Sequence, residues 1–119
     1  MSAVTVAAIG ALIDANRELL PVLEESLADN DGEVLPHLVM ADVMRFLVSQ
    51  RESNIAVIRS VLDSMEAAYQ RGPEEVRGMI EVSGVLMIPD PGEPGSELRD
   101  MLGADLRRID PWLGRTNRP

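Results

Sequence analysis

Apolar residues recur along most of the chain at spacings of three and four, the period that lines one face of an α-helix. Ile9, Leu12, Ile13, Leu20, Leu23 and Leu27 form the first such stripe. Pro21 interrupts it, so a kink or a fresh helix start is expected there. Asp29-Asn30-Asp31-Gly32 then reads as a turn. Pro36 suits the first turn of a second helix, where its missing N–H is no loss, with Met40, Val43, Met44, Leu47 and Val48 facing inward. The third helix carries the cleanest stripe. Ile55, Ile58, Leu62, Met65 and Tyr69 are spaced three, four, three and four; Ser53 or Asn54 is placed to cap it; and Glu52, Arg59, Asp63 and Glu66 fall on the wet side.

Gly72-Pro73 stops that helix and opens a fourth, with Glu74 and Glu75 well placed against the positive end of its dipole. Val76, Met79, Ile80, Val82, Val85, Leu86 and Met87 wrap much of its circumference. A helix apolar on so many sides is expected at the centre of the fold, with Gly78, Ser83 and Gly84 allowing close packing. Residues 89–95 hold three Pro and two Gly in seven positions, which makes a stiff exposed loop. Ser96 is placed to cap a last helix with Leu98, Met101, Leu102, Leu106 and Ile109 inward, and Gly103 is a C-cap or a break within it. No stretch alternates as a strand would. The pattern predicts an all-α fold, a single domain of five or six amphipathic helices in helical-bundle or HEAT-like packing. That domain spans 1–110, and 111–119 form a basic, flexible tail in which Gly114–Pro119 frays.

A length of 119 residues fits one domain with a core of its own. The absence of Cys excludes a disulfide framework and thiolate chemistry, and the eleven basic residues are all Arg, which excludes a Schiff-base or phosphate-binding lysine. Twenty acidic residues give a net charge of −9, a surface that repels phosphate backbones and anionic lipid. Nucleic acid and membrane are therefore not expected partners. Residues 1–32 sum to −5, 33–72 to −1, 73–105 to −6 and 106–119 to +3. The opening Met1–Ile13 is apolar but lacks a positive flank and is too short to span a bilayer, so a cytoplasmic protein is expected.

Candidate chemistry is sparse. His37 is the single imidazole, and Asp42 lies five residues on, off its face. A serine nucleophile would need a tight turn, whereas Val82-Ser83-Gly84 lies inside a helix. Glu24-Glu25 and Glu74-Glu75 are adjacent pairs that point to different faces. The turn 29–33 fails the calcium-loop template, because Leu27 and Leu38 stand where ligands are needed. No catalytic residue, metal set or cofactor is assigned, and no enzyme is expected. Three features suit partner recognition instead. They are the acidic loop 89–95, Trp112 as an anchor or a lid on the core, and a dimer face of Met residues with Val39 and Val48. Asp90, Glu93, Glu97 and Asp100 are the candidate partner-binding acids, the last two on one face of the last helix.

Leu35-Pro36-His37-Leu38-Val39-Met40-Ala41-Asp42, Met65-Glu66-Ala67-Ala68-Tyr69, Val76 through Leu86, and Leu98…Leu102-Gly103…Leu106 follow one order. Over roughly residues 18–108 this resembles a family of small acidic bacterial helical proteins, similar to the immunity proteins found beside polymorphic toxins. Relatives carry an acidic residue and an aromatic where this chain has Ser83-Gly84-Val85-Leu86, and it departs from them there. The resemblance implies no catalytic residues. It implies a protein that neutralises a basic partner through an acidic face. The alternative is a structural homodimer or scaffold with no separate ligand, and behind it a small enzyme.

Overall fold

The helical periodicity is realised across residues 3–116, the part of the chain that the computed structural model describes. Seven α-helices run in order among the described residues: α1 (Ala3–Ala15), α2 (Leu20–Asp29), α3 (Pro36–Ser49), α4 (Ile55–Arg71), α5 (Glu74–Met79), α6 (Ala104–Ile109) and α7 (Pro111–Thr116). No strand occurs among those residues. The radius of gyration is 13.7 Å, close to the roughly 13.5 Å expected of one compact domain of this length. The fold is all-α, in a single globule. The notion of a frayed tail meets α7 over Pro111–Thr116, and residues 117–119 lie outside the described residues.

α3 and α4 supply the middle of the core. Val39, Met40, Val43, Met44 and Leu47 of α3 pack with Val57, Ile58, Val61, Leu62 and Met65 of α4, all buried. Two expectations change here. Ile55 is 46% exposed, because the buried stripe of α4 begins at Val57–Ile58 and continues through Val61. Val39 is fully buried, so it belongs to the core and to no dimer face. α4 starts where its cap stands: the Asn54 side chain accepts from the Val57 N–H at 3.3 Å.

The fresh helix start expected at Pro21 is present, and α1 already ends before Asn16. Arg17–Leu19 form a 3-10 turn, and α2 restarts with Pro21 in its first turn, where its ring is tolerated. Asn16 is buried and fully used. Its Nδ2 donates to Leu12 O at 2.9 Å and Ser64 Oγ at 3.0 Å, and its Oδ1 accepts from Ser60 at 2.7 Å. One side chain thus pins the α1–α2 elbow to α4.

The fourth apolar run is not a regular central helix. After α5 it widens into a π-helix at Ile80–Gly84 and tightens into a 3-10 turn at Val85–Met87. The extra residue in the wide turn rotates the next turn about the helix axis, so Val82, Leu86 and Met87 face outward at 58%, 55% and 37% exposure. Close packing does occur at Gly84, where a Cβ would come within 2.9 Å of Met65 Cε. It does not occur at Gly78, where a Cβ would meet nothing.

The last helix also divides. Ser96–Met101 is a 3-10 helix preceded by Gly95, and Gly103 stands just before α6 rather than at a C-cap. Leu98, Leu102 and Leu106 are buried as expected. Glu66, read from the sequence as a solvated residue of α4, instead caps α6 from across the core. Its two carboxylate oxygens accept from Asp105 N at 3.0 Å and Leu106 N at 2.9 Å, satisfying N–H groups that a helix start leaves orphaned. Glu66→Ala is therefore expected to cost about 1–2 kcal/mol, and Glu66→Gln less. Thermal unfolding followed by circular dichroism is the check: a loss for Ala with none for Gln would show that the side chain contributes by packing, whereas equal losses would show that both carboxylate oxygens are needed to hold α6.

Candidate functional site

Two surfaces present chemistry that the fold leaves unused. They lie at opposite ends of α3.

The first holds the four acids singled out by sequence. Asp90 and Glu93 stand on the loop after the 3-10 turn, and Glu97 and Asp100 on the 3-10 helix Ser96–Met101. All four are exposed, and none of their carboxylates takes part in a hydrogen bond or ion pair within the described residues. Because residues three apart eclipse in a 3-10 helix, Glu97 and Asp100 project to the same side. The loop beneath them is anchored. Gly95 sits against Val48 and Pro89, and Arg99 reaches back to Pro89 O at 2.9 Å and Ile88 O at 3.4 Å. Arg99 also donates to Asp110 Oδ2 at 2.6 Å, with both side chains buried. The other Asp110 oxygen accepts from Trp112 N at 2.7 Å and Leu113 N at 3.1 Å, which caps the start of α7. One cation therefore fixes both ends of the segment that bears the acids. Trp112 is 41% exposed and is not the lid on the core; Leu113 packs there instead.

The second surface was missed by sequence reasoning. His37, in the first turn of α3, is exposed, and its Nδ1 lies 2.7 Å from Ser83 Oγ in the π-helix. These residues are 46 apart in sequence, which is why no local motif announces them. A hydroxyl against an imidazole is the first half of a nucleophilic pair, but catalytic use needs a third group to orient the base. Among the described residues no carboxylate is hydrogen-bonded to His37, and Ser83 is itself buried. The bond ties α3 to the π-helix.

Beside this bond runs an open groove of about 670 Å³ between α1, α3 and α5. Its walls include Leu35, Leu38, Met79 and Val82, and among the described residues Glu75 is the only acidic or basic side chain other than His37 in its lining. Arg77, two positions from Glu75, is turned away toward α4. Its Nε donates to Tyr69 O at 3.2 Å, and its guanidinium carbon lies 5.6 Å from the Tyr69 ring centroid. Gly78, read from the sequence as a close-packing glycine, lines this groove instead.

No group of three or more His, Cys, Asp or Glu is placed to hold a metal ion among the described residues. No helix among them is long and apolar enough to cross a membrane. No family model matches the chain. Neither a curated protein nor a solved structure matches it.

Proposed function

We propose that this chain is a non-enzymatic protein-binding module that engages a basic partner through its acidic face, in the manner of an immunity protein that neutralises its target. The observation that carries this reading is the state of Asp90, Glu93, Glu97 and Asp100: four exposed carboxylates without a cation partner among the described residues, on a segment held by Arg99 and Gly95. Two buried or half-buried acids serve the fold instead, Asp110 through Arg99 and Glu66 through α6. A stiff surface loses little conformational entropy on docking, and a net charge of −9 accelerates encounter with a cationic surface.

The test is affinity capture from the source cell at low salt, with the wild-type chain and with Asp90→Arg/Glu93→Arg in parallel. A stoichiometric basic protein is expected on the wild type, released near 1 M salt, where the screening length falls to about 3 Å. The reversal variant should fold normally and capture it at least about tenfold less well, since like charges across an interface cost several kcal/mol. Equal capture by both chains would refute the acidic face. A structural homodimer is the second reading, favoured by the exposure of Leu38, Val82, Leu86 and Met87. Recovery of the bait alone, at the mass of two chains, would establish it.

A further inference from the structure

The groove beside His37 exposes apolar side chains that the fold does not cover. Leu38 and Val82 on its walls are 48% and 58% exposed, an arrangement that leaves large apolar side chains in water on two facing elements. Gly78 makes the case more specific. A glycine within a helix costs about 1 kcal/mol relative to alanine, and close packing is the usual reason to keep one. Here a Cβ at Gly78 would meet no atom of another element among the described residues, and the residue lines the groove. The room it leaves is room for an occupant.

The walls decide what kind of occupant fits. An extended peptide docks by adding a strand to a sheet edge or, as a polyproline segment, in an aromatic-lined groove. The described residues contain no strand, and no Phe, Tyr or Trp lines the groove. A helix brings its own backbone bonds and offers a stripe of apolar side chains. Charge decides the rest. Glu75 stands in the lining, and the neighbouring cation Arg77 is committed to Tyr69 on the far side. Glu74 and Glu81 stand on the same segment.

We infer that this groove seats one amphipathic helix of a partner protein, with apolar side chains against Leu35, Leu38, Met79 and Val82 and a Lys or Arg facing Glu75. The inference rests on the reading of the chain as a module for a basic partner and adds a second point of attachment. His37 and Val48, which mark the two ends of α3, are eleven residues apart, about 17 Å along a helix. The groove and the acidic loop are therefore separate contacts that one partner can span.

The probe is a pair of synthetic amphipathic peptides of about 18 residues, five helical turns, with identical leucine faces flanked by Lys in one and Glu in the other. Binding is followed through methyl resonances of the full chain. The Lys-flanked peptide is expected to shift Leu35, Leu38, Met79 and Val82, and to bind about two- to fivefold more tightly than the Glu-flanked one, the worth of one exposed ion pair. Glu75→Lys should reverse that preference. Gly78→Trp fills the groove from open space and should weaken binding at least about tenfold, as loss of an anchor pocket does. Gly78→Ala removes less room and should keep most of the affinity, while unchanged thermal unfolding shows that both variants fold.

Failure to shift these methyls with either peptide, or indifference to Gly78→Trp, would overturn the inference. Shifts of the same methyls on raising protein concentration alone, with a mass of two chains, would place a second copy there and equally overturn it. The acidic-loop variant keeps the two readings apart. If Asp90→Arg/Glu93→Arg loses the captured basic protein while Gly78→Trp binds it as well as wild type, the groove inference falls and the binding module stands. If neither the peptides nor any basic protein binds the wild type, both fall.

Discussion

Replacing Arg99 with methionine is expected to lower the stability of this protein by about 3–5 kcal/mol, the usual cost of leaving one member of a buried ion pair without the other. The Arg99 side chain is 7% exposed and that of Asp110 is not exposed at all. Methionine matches much of the arginine stem but leaves the Asp110 carboxylate buried without a cation, and it releases Pro89 O and Ile88 O as well. Asp110→Ala should be of similar size, because it also uncaps α7 at Trp112 and Leu113. Asp110→Asn keeps an oxygen for those N–H groups and should cost less than Asp110→Ala. The informative comparison is the double variant Arg99→Met/Asp110→Asn, in which no buried charge remains. It should cost clearly less than the sum of the two single changes, the mark of direct coupling. Urea unfolding followed by circular dichroism measures all four. A loss below about 1 kcal/mol for Arg99→Met would show that water reaches the pair and that the segment from Ile88 to Leu113 is held by its leucines alone.

The same pair illustrates what the sequence makes legible and what it conceals. The helices of the first two thirds are visible in advance because burial imposes a period on them, as in Met40, Val43, Met44 and Leu47 of α3. That period fails where the backbone itself departs from 3.6 residues per turn. In the run from Val76 to Met87 apolar residues stand on every side, so the pattern does not reveal that a π-turn at Ile80–Gly84 carries Val82 and Leu86 to the surface. Polar residues with tertiary duties are concealed for a different reason. Glu66 and Asp63 look alike as hydrophilic positions of α4, and only the approach of Gly103 places the N-terminus of α6 over one of them. Arg99 likewise sits among Leu98, Leu102 and Leu106, and nothing local marks Asp110 as its partner. The acidic loop was legible because proline and glycine act locally. The groove was not, because its walls come from residues near 5, near 37 and near 78, brought together only by folding.

Gly95→Ala is the second change expected to have a large effect, about 2–5 kcal/mol, and its two causes can be separated. Gly95 has φ +97, a conformation that side-chain-bearing residues adopt at a cost of about 1–2 kcal/mol. Its missing Cβ would also stand 2.7 Å from Val48 Cγ1 and 3.1 Å from Pro89 Cγ. Both neighbours are stiff, Val48 by its branched side chain and Pro89 by its ring, so the contact cannot be relieved by a rotamer change alone. Overpacking of this kind adds about 1–3 kcal/mol. Val48→Ala removes the nearest obstacle while leaving φ as it is. The combination Val48→Ala/Gly95→Ala should therefore be more stable than the two single losses predict, by about 1 kcal/mol, with the remainder assigned to the backbone. Strict additivity in urea unfolding would mean that the backbone strain alone is responsible. Position gives this glycine a consequence for function. Gly95 is the point at which the loop bearing Asp90 and Glu93 is pressed onto the end of α3, so an alanine there should loosen the acids' presentation while leaving their charge intact. A reduced affinity for the basic partner with an unchanged salt dependence would separate that loss of rigidity from a loss of electrostatic attraction.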